Sequence, residues 1–462
     1  MQTPIQEYML SSQVCTIRPR VNRRRAIALC SMGIATAWAS ACRAGAPAQP
    51  AEQAPVQRAV SGTLLMWCNP AFPFSEDVGG EIAQDFTTRY PNVRFTAENV
   101  PGNMVEKLTT AVAGGVPPDL SHVDIYTPAS LAASGAIISL ENYLKTSREL
   151  KKSDLWPTHV ADCSYNGQLV AVPFGPDLRV LYIYKNHYDA LGLDVTKPPR
   201  TWPEFEAVIQ RALRRDATGR IEQLGFDPFL GSGGVHRWLV PFWQLGGETL
   251  SSDGTRVTIF NDYGIRAMEW IMRIIDMQGG YERVRAFQEG QQANALFING
   301  QVTHYYATYA ERAQAFEKQA PQMQFGFTYY PVPQGGRRAN YGGGWAMPIS
   351  QGAKNPDAAW AFLEFFSSDE NNLKFANRYD RIPIRIATAR SERFTRGDPF
   401  RILAAEEMQY RRFVISAPGG AEILPIQATM VNNILQGKQA IRDALREGQD
   451  LMQQVLDKYL RK

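Results

Sequence analysis

Cysteine and histidine are scarce in this chain, with five of each in 462 residues. The histidines (122, 159, 187, 236 and 304) are scattered without metal-ligand spacing, so satisfied or exposed imidazoles are the better expectation than a metal centre. Cys15, Cys30 and Cys42 fall in the first 42 residues, which leaves Cys68 and Cys163 for the body. Those two are open to either one disulfide or two buried thiols, because nothing in their spacing decides. G-x-S-x-G, G-x-x-x-x-G-K-[ST], H-E-x-x-H and Cys-x-x-Cys are all absent, which removes the common hydrolase, nucleotide-binding, zinc-protease and redox signatures. No cofactor is expected. Paired carboxylates for glycoside hydrolysis stay open, since such residues converge only in three dimensions.

A basic excess is missing too, once the net charge of +4 is divided along the chain. Residues 1–41 hold Arg18, Arg20, Arg23, Arg24 and Arg25 against Glu7, and the remainder has 44 basic and 44 acidic residues. A nucleic-acid binder needs a basic footprint on its working domain, so that class is set aside. Long hydrophobic runs are equally scarce. The 16-residue stretch AIALCSMGIATAWASA (26–41) would span about 24 Å as a helix, short of the roughly 30 Å hydrocarbon core. After Arg23–Arg25 it reads as a signal-peptide core, through either general or twin-arginine export.

What is present then gives an organisation. Ala39-Ser40-Ala41-Cys42 fits small-residue cleavage and resembles a bacterial lipobox, with Ala39 where Leu is usual, so lipidation at Cys42 is expected, with simple cleavage as the alternative. Residues 43–60, rich in Ala, Pro and Gln, read as a flexible tether. The body has the composition of a folded globular protein, 44% hydrophobic and 20% charged. It opens with strand SGTLLMWCNP (61–70), a helix at about 77–90, strand NVRFTAENV (92–100), helix NMVEKLTTAVAGG (103–115) and a strand in PPDLSHVDIY (117–126). Alternating strands and helices imply a parallel sheet, with ligands beyond the C-terminal strand ends. Trp67, Asn69, Asp124 and Tyr126 lie at those ends. TWPEFEAVIQRALRR (201–215) reads as a helix capped by Thr201, and NPDAAWAFLEFFSS (355–368) as one led by Asn355 and Pro356.

Several segments carry a resemblance: FTTRYPNVRF, AVAGGVPPDL, SGAIISLENYL, the long run GQLVAVPFGPDLRVLYIYKNHYDALGLDVTKPPRTWPEFEAV, FWQLGGETLSSDG, ALFINGQVTHYY, GGGWAMPISQGAKNPDAAWAFLEFFSS and RYDRIPIR. In this order the chain resembles the family 1 extracellular solute-binding proteins, the maltose-type receptors of ABC importers. Tyr184 stands where the family often has Asn, and Ile183 where it has Tyr. The resemblance implies an α/β, two-lobe periplasmic-binding-protein fold of type II, each lobe a mainly parallel sheet flanked by helices, with a multi-segment hinge. The expected division is 1–41 signal peptide, 42–60 anchor and tether, 61–177 plus 345–395 first lobe, and 178–344 plus 396–462 second lobe. Chain crossings are expected near Pro173–Leu178, Tyr341–Trp345 and Arg385–Arg396.

The implied function is capture of a sugar or oligosaccharide by a monomer outside the cytoplasm, held to the membrane through Cys42 and delivering to a permease. A glycerol-phosphate-type solute is the alternative, and a secreted carbohydrate-active enzyme or an adhesion or sensing module is the alternative of another class. The run ANYGGGWAMP (339–348) sets three glycines between two rings, which suits either a tight turn or a ligand close to the main chain. The resemblance puts it beside the cleft. Expected contacts are therefore Trp67, Asn69, Asp124, Tyr126, Asp177, Tyr341, Gly343, Gly344 and Trp345, with His236, Trp238, Trp243, Tyr309 and Arg381 from the second lobe and the final crossing.

Overall fold

The computed structural model describes residues 60–69, 78–231 and 233–461. The signal, the lipobox cysteine and the tether lie outside the described residues. The body begins with a three-stranded sheet whose centre is Gly62–Cys68, flanked by Val93–Asn99 and Leu120–Ser121, all parallel. Alternation decides which face packs: Leu64, Met66 and Cys68 have no exposed surface, while Leu65, Trp67 and Asn69 are half-buried. Parallel neighbours require crossovers, and Ala83–Arg89 and Met104–Ala113 supply them. The second helix is capped by Asn103, whose side chain accepts from the amides of Val105 and Glu106.

A five-stranded sheet follows in the order Phe325–Thr328, Arg179–Tyr184, Val302–Thr308, Ile221–Phe226, Arg214–Arg215. Its pairing corrects one expectation. Only Ile221–Phe226 with Val302–Thr308 is parallel, and the other three pairs are antiparallel. Two of these pairs follow from Arg179–Tyr184, which runs against both its neighbours, and the third is the turn that joins Arg214–Arg215 directly to Ile221–Phe226.

Two large buried apolar clusters result, beside a small one of Ile183, Tyr188, Val195 and Val208. One gathers Leu64, Phe86, Leu108, Val172, Phe362 and their neighbours, and the other Tyr182, Phe226, Trp238, Trp270, Leu445 and theirs. The chain passes from the first to the second between Phe174 and Leu178 and back between Tyr341 and Ala346. The later passage is diffuse: Phe375 and Ile384 join the first cluster, while Leu373, Ile382 and Ala389 join the second. Helix Pro356–Ser367 is buried almost all round, from Ala358 to Ser367 apart from Glu364, because it fills the first cluster. Cys68 and Cys163 are separate buried thiols, and desolvation pushes the Cys68 thiol up to about 12. Among the described residues no helix is long and apolar enough to cross a membrane.

Helix Trp202–Ala212 carries the reciprocal cap its sequence announces. Thr201 accepts from the Glu204 amide, and Glu204 accepts from the Thr201 amide. Thr201→Ala is expected to lower stability by about 1 kcal/mol in chemical denaturation, with an unchanged denaturant slope.

Candidate functional site

A cavity of about 220 Å³ lies where the strands of the first sheet end. Asn69 follows Cys68 on the central strand, Gly102–Val105 form the N-terminal turn of the next helix, and His122–Asp124 and Tyr126–Thr127 close the third side. Trp345 comes from the returning strand Trp345–Met347, which pairs with both Val123–Asp124 and Val172–Phe174. Ala421, near the start of helix Gly420–Leu435, is the contribution from the far side.

The chemistry of this lining is amide, hydroxyl, carboxylate and ring. The Tyr126 hydroxyl donates to Asp124 Oδ2 at 3.3 Å, and the Tyr126 ring stacks on Phe413 with centroids 5.7 Å apart. Burial raises the Asp124 carboxyl above its usual range, opposed in part by the Tyr126 hydrogen bond. His122 is neutral, since burial pulls its imidazole down to about 3. No lysine or arginine is among the described lining residues. No group of three or more metal-ligating side chains occurs among the described residues.

Trp345 is held from several sides. It packs edge-on against His122 at 5.7 Å, and the Arg381 guanidinium sits 4.8 Å over its ring. Gly175, at φ +52°, leaves the room: a Cβ there would come within 2.9 Å of Trp345 Cε3. Burial pulls the Arg381 guanidinium down while the nearby Asp177 carboxylate supports it. Asp177 also pairs with Arg179 at 2.7 Å, and Arg179 lies 5.1 Å over the Tyr341 ring. Glu311 joins this group, raised first by burial and then by Asp177.

The glycine run has a structural reason first. A Cβ on Gly342 would collide with the Asp177 carbonyl and the Arg411 side chain. The carbonyl of Gly343 accepts from the Asp177 amide at 3.3 Å and from Arg411 at 3.1 Å, and that of Gly344 from the Ile125 amide at 3.2 Å. Protein atoms, not open space, fill the approach at Gly342. At Gly343 a Cβ would meet only Phe413, at 3.8 Å.

Of the residues expected from sequence, the cavity gathers Asn69, Asp124, Tyr126 and Trp345. Asp177, Tyr341, Gly343, Gly344 and Arg381 form the layer behind it. Trp67 is half-buried and its indole donates to Glu98 at 3.2 Å, outside the lining. His236 hydrogen-bonds Gln427 at 2.6 Å, and burial lowers its imidazole. Trp238 is a correction: it has no exposed surface and packs on Phe242, because its helix turns an apolar face into the second cluster. Trp243 is buried and borders a different cavity, and Tyr309 stacks on Phe400 at 5.1 Å beside yet another. Sequence reading missed Asn103, His122, Thr127 and Gly175, whose signals were an N-cap asparagine and a glycine between Phe174 and Pro176. It also missed Phe413 and Ala421, which no local pattern marks.

A cavity at the carboxyl ends of a parallel sheet, bordered by two cores that share several crossings, is the architecture of a two-lobe solute receptor. The chain belongs to the bacterial extracellular solute-binding protein family, whose profile matches residues 78–373. It is similar to the sn-glycerol-3-phosphate-binding periplasmic protein of Brucella abortus, 29% identical over 157 residues that cover 32% of this chain and 36% of that one. The match thus spans about a third of that relative's length. Its fold is that of the sugar-binding protein MalE from Xanthomonas citri, with TM-score 0.74, 19% identity, and coverage of 86% of this chain and 98% of that one. The cyclic alpha-maltosyl-1,6-maltose binding protein from Arthrobacter globiformis gives TM-score 0.72 at 20% identity, over 86% and 100%.

Two outcomes check this geometry. Gly342→Ala is expected to destabilise by about 1–3 kcal/mol through overpacking, whereas Gly343→Ala stays within about 0.5 kcal/mol, both read by chemical denaturation. Asp124 gives a pH test. Because its folded carboxyl titrates above the ordinary 3.8, its contribution to stability is greatest below that pH and falls as pH rises through the folded value. Asp124→Asn is therefore expected to melt higher than the native protein at pH 7, with the difference gone below about pH 3.8.

Proposed function

We propose that this chain is the extracytoplasmic receptor of an ABC importer and that it captures a neutral sugar or oligosaccharide by lobe closure. The observation that carries the reading is the lining itself. Tyr126 and Trp345 offer ring faces to apolar C–H surfaces, Asn69, Asn103 and Asp124 offer planar partners to hydroxyls, and no described lining residue is a cation. A phosphate dianion would instead meet Asp124, with the Arg381 guanidinium already set against Trp345 and supported by Asp177.

Closure brings together residues 61–177 plus 345–395 and residues 178–344 plus 396–462. Solute favours the closed form only through the contacts it gains there, and no bond in the solute changes. Among the described residues the lining holds one carboxylate, Asp124, and the family similarity supports binding over cleavage. Outside the cytoplasm, Cys42 anchors the monomer by lipid and residues 43–60 tether it near a permease.

Glycerol phosphate is the second reading, favoured by the similarity to the Brucella abortus protein and by the helix N-terminal turn Gly102–Val105 in the lining. A thermal-shift screen separates the two. A bound solute at 100 times its Kd adds about 2.7 kcal/mol of stability. Neutral sugars are expected to raise the melting temperature and sn-glycerol 3-phosphate to leave it unchanged; the reverse pattern would overturn the sugar reading. With the sugar identified, Tyr126→Ala is expected to weaken binding about tenfold or more by isothermal titration.

A further inference from the structure

A buried ion pair joins the two cores behind the glycine run. Asp162 ends helix Pro157–Asp162, which is flanked by Leu155 and Cys163 of the first cluster. Arg411 opens the segment that leads to Val414 and Ile415 of the second cluster, and its backbone pairs with Asn340. Arg411 Nη1 donates to Asp162 Oδ2, and the other carboxylate oxygen accepts from the Ser416 hydroxyl. The Arg411 side chain has no exposed surface, and Asp162 is buried with it.

Stability is a poor reason for such a pair. Two charges leave water, and Arg411 Nε is buried without a hydrogen-bond partner among the described residues. Burial, and then the Arg411 charge, pull the nearby His159 imidazole well below its ordinary 6.5, so it adds no compensating charge. A buried pair with an unmatched donor recovers its desolvation cost poorly, and apolar side chains of similar volume often do as well or better. What apolar side chains cannot supply is direction. Nη2 of the same fork reaches the Gly343 carbonyl at 3.1 Å, and the guanidinium lies 5.9 Å over the Phe413 ring. Gly343 stands two residues before Trp345, and Phe413 stacks on Tyr126, so one guanidinium touches the support of both rings in the first cavity.

We infer that Asp162 and Arg411 are positioning residues for the solute site, an inference that rests on the receptor reading of the first cavity. Asp162 aims the guanidinium fork from the first core, and the fork holds the Gly343 carbonyl. That carbonyl also accepts from the Asp177 amide, while the Gly342 amide donates to the Arg412 carbonyl at 3.0 Å and the Ile125 amide to the Gly344 carbonyl. The pair therefore pins the crossing and keeps Trp345 and Tyr126 in the wall, although neither Asp162 nor Arg411 is in the lining.

Amide hydrogen exchange of the full protein without solute tests this, and a failed sugar screen leaves its outcome untouched, so the two readings fail separately. The double variant Asp162→Leu/Arg411→Met removes both charges and leaves neither unpaired. The amides of Ile125, Asp177 and Gly342 are expected to exchange at least about tenfold faster in it, with the strands Gly62–Cys68 and Val302–Thr308 unchanged. Arg411→Lys keeps the charge but replaces the fork by a single ammonium, so the same local change is expected, and it decides the matter if the double variant does not fold. Native exchange at those three amides would overturn the inference. So would an equal acceleration across both strands, which would make the pair a general stabilising contact.

Discussion

The closeness of two backbone segments at residue 342 is the constraint on which the rest of this molecule depends. Gly342 lets the returning chain pass against the Asp177 carbonyl and the Arg411 side chain with no room for a Cβ. That approach sets the hydrogen bonds of Gly343 and Gly344 to Asp177, Arg411 and Ile125, and these fix the register in which Trp345 pairs with Asp124 and Phe174. A side chain at 342 would spread the crossing strands, and Trp345 would leave the wall it forms. The same crossing lies between the two cores, so one contact governs both the shape of the site wall and the passage of the chain from one core to the other.

Around that crossing, charge is arranged to be self-sufficient. Asp177 supports Arg179 and Arg381, and those guanidinium groups lie over Tyr341 and Trp345. Cations committed to internal partners position rings without presenting positive charge to a solute. Among the described residues the cavity is left with amides, hydroxyls, ring faces and one desolvated carboxylate, the set on which the proposed sugar ligand rests. The raised Asp124 carboxyl marks a group held in a setting that opposes its ionisation, which lowers stability at neutral pH.

Much of this was legible in the sequence because it rests on local chemistry. The alternation in TLLMWC, the Thr201–Glu204 cap and the glycine–tryptophan run each announce an element or a close approach. Asn69, Asp124 and Tyr126 were named from strand ends, where ligands sit in a parallel sheet, and Trp345 from the glycine run and the family resemblance; all four line the cavity. What was not legible depends on tertiary packing. Trp238 looks like a sugar platform in a tryptophan-rich segment, yet burial of its helix face removes it. Ala421 carries no motif yet lines the cavity, and Phe413, which packs against both cores, supports it by stacking on Tyr126. The mixed sense of the second sheet was hidden for the same kind of reason, since strand direction follows from where Arg179–Tyr184 enters it.

The central claim is that a neutral sugar closes two lobes over the Trp345 cavity without being altered. Small-angle scattering during a titration with the sugar that gives a thermal shift tests it most directly, with the sugar recovered afterwards for mass analysis. The account predicts a saturable fall in the radius of gyration and intact sugar. An unchanged radius at saturation, or a cleaved sugar, would contradict it.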